Sequence, residues 1–138
     1  MTKTLSGAML QIQAVARAIS GVKSAPDQIS DSMASFPFVV TFPRRLEDHA
    51  QQSWDKSLWT VYTEIHVARG LVGDSVTTAA GLIEDLRDGL NADPTLNGTV
   101  DTIVYPIVAT FGELEWGSPA TKTIGWRCEI TFKINTPD

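Results

Sequence analysis

Tyr62, Glu64 and His66 occupy alternate positions of the stretch WTVYTEIHV and share a face if that stretch is a strand. A phenol, a carboxylate and an imidazole side by side are groups of general acid–base catalysis, provided that they surround a pocket and have perturbed pKa values. Alternation brings such residues together in any strand, so their proximity also has a purely structural explanation. Elsewhere the reactive groups are scattered. His49 and His66 fall in different expected elements, and a metal site needs three or four converging ligands, so no metal is expected. Cys128 lies between Trp126 and Ile130 on an apolar strand side, which suits a small core residue better than a thiolate nucleophile. Asp74-Ser75 precedes a helical stripe and reads as a capping sequence rather than as half of a catalytic pair. Asn97-Gly98-Thr99 has the form of a glycosylation acceptor and reads more simply as a turn. The chain contains no GxSxG, GxxxxGK[ST], HExxH or CxxC, so no spacing enforces a mechanism, and neither catalytic residues nor a cofactor are assigned.

Two groups of surface residues remain. Glu84, Asp85 and Asp88 lie late in an expected helix, where the macrodipole favours cations. A paired-carboxylate site, an acidic patch facing a charged partner or channel, and a solvated face moderated by Arg87 all account for them. Trp54 stands within a long polar stretch and Trp116 within an expected turn, GELEWGSPATK, where no strand face obviously buries them. Each reads as a binding anchor or as a side chain folded back on its own core.

The elements that must position these groups follow from periodicity. Leu5, Met9, Ile12, Val15, Ala16 and Ile19 form one helical stripe, with Gly21 suited to a left-handed cap. Lys23 to Ser35 is a connector. Phe36 to Phe42 is an edge strand or a strand that begins after Pro37. Arg44 to Ser57 is polar and longer than a tight hairpin needs, which predicts a protruding loop or a short helix. Leu58 to Arg69 alternates as a half-buried strand. After Gly73, capped by Asp74 or Ser75, a second helix carries Val76, Ala79, Ala80, Ile83, Leu86 and Leu90 on one stripe. Pro94 and Asn97-Gly98 turn the chain into a strand over Val100 to Leu114, in which Pro106 demands a bulge or an edge. Thr123 to Ile134 closes the series, with Ile124, Trp126, Cys128, Ile130, Phe132 and Ile134 on one face. The order α-β-β-α-β-β predicts an α+β fold, a mainly antiparallel four-stranded sheet with two helices on one face.

At 138 residues, 43% hydrophobic and 20% charged, the chain reads as one domain, 1–138, able to form its own core. Eleven basic against sixteen acidic residues leave a net charge of -5, which provides no electrostatic footprint for wrapping nucleic acid. One cysteine forms no internal bridge, and the amphipathic N-terminus reads as neither a signal peptide nor a membrane span. A cytosolic origin is expected.

With this order in place, the stretch GDSVTTAAGLIEDLRDGLNADPTLNGTVDTI, followed by two strands, resembles the tail terminator (tail completion) proteins of long-tailed bacteriophages. The likeness is best over Leu58 to Ile134. In such proteins a helix after a long strand ends in a "DPTLNGTV"-like turn that leads into the closing hairpin, matched here by Asp93 to Val100. The resemblance implies a virion protein, assembled in the host cytoplasm and typically hexameric. Such a ring sits on the head-proximal end of the tail tube, stops its growth and offers a surface to the head-side connector. It implies no catalysis, no cofactor and no membrane, with DNA passing through the lumen without specific binding. Docking surfaces are then expected on Arg44 to Ser57 and Glu113 to Thr121, with Arg44, Arg45, Trp54, Glu113, Glu115 and Trp116 as interface candidates. Glu84, Asp85 and Asp88 are expected near the lumen. The alternatives are another neck or tail component, and a small α+β enzyme or ligand-binding domain using Tyr62, Glu64 and His66.

Overall fold

The computed structural model describes residues 3–30, 32–33, 35–48, 56–70 and 72–135. Its elements are α1 (Leu5–Arg17), β1 (Phe38–Asp48), β2 (Lys56–Val67), α2 (Val72–Asn91), β3 (Thr102–Trp116) and β4 (Thr121–Asn135), in the expected order. The strands form one open antiparallel sheet in the order β1-β2-β4-β3, so β2 and β4 are central while β1 and β3 are its edges. The chain is an α+β fold.

The Thr4 hydroxyl caps α1 by accepting the Gly7 N–H at 3.0 Å, and the stripe Ala8, Ile12 and Ala16 is completely buried. The helix ends at Arg17, and Ile19 continues in a turn that closes at Gly21, whose φ of 103° is one that glycine adopts with little strain. In α2 the buried stripe is Ala79, Leu82, Leu86 and Leu90; Val76, expected on it, is exposed. The helix starts at Val72, so Asp74 and Ser75 sit in its first turn instead of capping it. Ser75 uses its hydroxyl to tie the helix to the preceding loop, donating to the Ala68 carbonyl at 3.1 Å and accepting from Gly70 N–H at 3.4 Å. Both stripes pack with Val39, Val61, Ile65, Cys128, Ile130 and Phe132 into one core on a single face of the sheet. Each fully buried Val, Leu or Ile side chain there contributes about 1.5–3 kcal/mol relative to exposure.

The Asp93 to Val100 segment is a compact plug. Leu96, Asn97 and Gly98 take φ values of 48°, 55° and 79°, and Asp93 holds the turn by accepting the Asn97 N–H on its carboxylate at 2.9 Å. The purpose of the strain is visible in Leu96, which is buried completely beneath the turn.

Strand boundaries depart from expectation at both hairpin connections. β1 begins after Pro37 but runs through Pro43 to Asp48, and β2 starts at Lys56, so Arg44 to Asp48 and Ser57 are strand residues, neither loop nor helix. The reason is that every residue of this half of β1, from Pro43 onward, is exposed. A strand with water on both faces has no apolar alternation to read. Pro43 is tolerated because β1 is an edge, where a missing N–H removes no ladder bond, and the register shifts between Pro43 and Arg45. β3 likewise extends to Trp116, leaving only 117–120 as the turn before β4. Pro106 meets both of its requirements, since β3 is an edge strand whose register shifts between Val104 and Val108.

Candidate functional site

Strand alternation places Tyr62, Glu64 and His66 on the sheet face opposite the helices, as expected. Pairing with β4 sets Gly125 opposite His66, Arg127 opposite Glu64 and Glu129 opposite Tyr62. The His66 Nδ1 lies 2.6 Å from the Thr123 hydroxyl, and its Nε2 lies 2.9 Å from Glu64 Oε1. Arg127 donates from Nε to the other Glu64 oxygen at 2.7 Å. Burial alone would raise the Glu64 pKa, but the hydrogen bonds and charges of His66 and Arg127 outweigh it and hold the carboxyl below its ordinary value.

A hydroxyl, an imidazole and a carboxylate in series are the parts of a proton relay, yet a general base must lie within hydrogen-bond reach of a substrate. Here His66 is 0% exposed, Thr123 1% and Glu64 2%. The Phe38 ring stacks on the imidazole at 4.5 Å and 8°, and the Trp116 ring closes on it edge-wise at 5.7 Å. Among the described residues every buried side-chain polar atom has a hydrogen-bond partner. The network is therefore a satisfied polar core beneath an aromatic roof.

Trp116 belongs to that roof, which corrects its placement in a turn. It closes β3 on the helix-free face, meets Phe38 at 6.4 Å and Phe42 at 6.1 Å, and donates its indole N–H to the Ser30 carbonyl at 2.7 Å. It is half-buried and has partners in its own chain, as a side chain folded back on its core would. The signal for this lies in the sequence: Leu114 and Trp116 alternate with the exposed Glu113 and Glu115, the period of a strand. Trp54 and His49 lie outside the described residues.

Further along the same face, Tyr62 is held between two guanidinium groups, Arg44 at 5.4 Å and Arg127 at 4.9 Å from its ring, and Arg44 Nε donates to its hydroxyl at 2.8 Å. Arg44 and Arg45 are both exposed, and Arg45 makes no ion pair among the described residues. Glu113 pairs with Arg69 at 3.0 Å and with Lys122 at 3.6 Å, while Glu115 is exposed nearby. Phe38, Thr123 and Arg127 complete the buried network but were not identifiable as its members, because their partners depend on strand register.

The acidic residues of α2 are exposed but fan around the helix instead of converging. Glu84 borders a cleft against β3, Asp85 a groove against α1, and Asp88 is paired with Arg87 at 3.0 Å. The cleft, about 170 Å³, is walled by Ile83, Leu86, Leu90, Ile107 and Ala109, with Cys128 at its base. Burial, helped by the Glu64 charge, pushes the Cys128 thiol up to about 12, which removes it as a nucleophile at neutral pH. No group of three or more His, Cys, Asp or Glu suited to a metal ion occurs among the described residues. No helix among them is long and apolar enough to cross a membrane. Searches against protein-family models and against curated proteins found no match to this chain.

Proposed function

We propose that this chain is a structural subunit of a long-tailed bacteriophage, a tail terminator that closes into a ring, typically a hexamer, on the head-proximal end of the tail tube. The ring stops elongation and presents a surface to the head-side connector. The observation that carries this reading is that the sheet ends in two different edge strands at opposite sides of the subunit, β1, exposed from Pro43 onward, and β3. Closed rings are built from heterologous contacts, in which one patch meets a different patch on the next copy. Arg44 and Arg45 on β1, with Glu113 and Glu115 on β3, stand at those edges and supply polar contacts there. The exposed Glu84, Asp85 and Asp88 suit a lumen through which DNA passes without sticking.

The sealing of His66 and Glu64 favours assembly over acid–base chemistry, because these side chains already serve the fold. Electron microscopy of the protein alone and mixed with tail tubes tests the proposal. An annulus at one tube end is the expected result. Decoration along the tube would assign a different tail component, and bare tubes with a lone, catalytically active subunit would overturn the reading.

A further inference from the structure

Resting on the ring reading, we propose that the exposed half of β1 docks on the β3 side of a second copy, with Leu46 entering the cleft between α2 and β3 while Arg45 meets Glu129. Register fixes the two sides of the arm. Leu46 pairs with Trp59, which packs with the core on the helix side, and Arg45 pairs with Thr60, whose hydroxyl bonds Thr131 on the helix-free side. The neighbour's β3 edge offers a matching feature on each side. Toward the helices lies the apolar cleft of about 170 Å³. Toward the free face stands the exposed Glu129, beside Val108 in the register and without an ion pair among the described residues.

Leu46 is 46% exposed on the helix side of the arm, and Val108 is 50% exposed. A cavity of ~150 Å³ lined by aliphatic groups accepts a group the size of benzene, so the cleft is large enough for a leucine side chain. Arg45 and Glu129 carry opposite charges, each without an ion pair among the described residues, which favours the contact β1 to β3 over β1 to β1. Because β1 and β3 are opposite edges, the same contact repeats from copy to copy in one direction, as a ring requires together with a rotation that closes.

The test mixes two single-cysteine proteins in a Cys128→Ala background, one carrying Leu46→Cys and the other Ala109→Cys, under copper-catalysed oxidation. Sedimentation of the unmodified protein is measured in parallel, alone and with tail tubes. A disulfide-linked heterodimer formed in the mixture and by neither protein alone is expected. In the wild-type cysteine background, Arg45→Glu should weaken self-association by about tenfold, and adding Glu129→Arg should restore it. Oligomers that form without the heterodimer and without charge-swap rescue would overturn this docking while leaving the ring intact. A subunit that stays monomeric and never associates with tubes would overturn both.

Discussion

Arg127 reaches across from β4 to its register partner Glu64 on β2, and its Nε lies 2.7 Å from a carboxylate oxygen that is almost wholly buried. The guanidinium itself is half exposed, so water screens its side of the pair, whereas the carboxylate depends on His66 and Arg127 for everything it lost on leaving water. Because the folded Glu64 pKa lies below its ordinary value, near 4.3 in an unfolded chain, the unfolded state binds more protons over the interval between the two. The stability this contributes is present above about pH 5 and is lost as pH falls through the folded value. Glu64→Gln should therefore cost about 2 kcal/mol at pH 7 and show a flatter fall in stability below pH ~5 than the wild type, read by urea unfolding across pH. Parallel profiles would remove Glu64 as a source of acid sensitivity.

Trp116 covers the same network from the other side. Trp116→Ala removes the edge contact on His66 and the bond to Ser30, and is expected to destabilise the isolated subunit by about 2–3 kcal/mol. It should also open His66 to an imidazole-acylating reagent that leaves it untouched in the wild type, with peptide mass mapping to distinguish it from His49. A variant as stable as the wild type and defective only in assembly would assign Trp116 the role of docking anchor instead.

The helix-facing half of this fold is legible in the sequence because its signals are local. The stripe of α1, the alternation of β4 and the turn from Asp93 to Val100 each follow from neighbours within a few residues. What escapes is set by register. That Phe38 stacks on His66 and that Arg127 lies opposite Glu64 depend on how β1, β2 and β4 align, and no residue in one strand encodes the number of its partner. The exposed half of β1 escapes for another reason: from Pro43 to Asp48 both faces are wet, so composition there matches that of a loop. Burial of Glu64 and His66 could not be read either, since the alternation that marks them as the polar side of β2 says nothing of an aromatic roof built from Phe38 and Trp116.

Gly125 gives a sharp test of the β2–β4 alignment. A methyl group there would stand 1.8 Å from the Ile65 carbonyl oxygen, a backbone atom that cannot move without displacing the central strand. Gly125→Ala should cost at least about 3 kcal/mol or abolish folding, because no rotamer relieves a clash with the main chain. Gly112 is its partner across the β3–β4 ladder and has open space around the corresponding position, so Gly112→Ala should change stability by less than about 1 kcal/mol. Thermal unfolding of the two variants side by side checks the pair. Equal behaviour would mean that β2 and β4 do not approach as described.

Cys128 provides a probe that needs no substitution. Its thiol is buried on the helix side of β4, and its pKa, raised to about 12, leaves almost no thiolate at pH 8. Alkylation of the native protein at that pH should be slower than that of the urea-unfolded chain by several orders of magnitude, in proportion to the rarity of opening. The residue also lies at the base of the cleft between α2 and β3, so the native rate reports on that cleft in particular. If local separation of α2 from β3 exposes the thiol, the rate will be insensitive to low denaturant; if only global unfolding does so, its logarithm will rise with denaturant at the full equilibrium slope. Filling the cleft with the arm of a neighbouring subunit should slow alkylation further as protein concentration rises, and a rate independent of concentration across the association range would place the neighbour elsewhere.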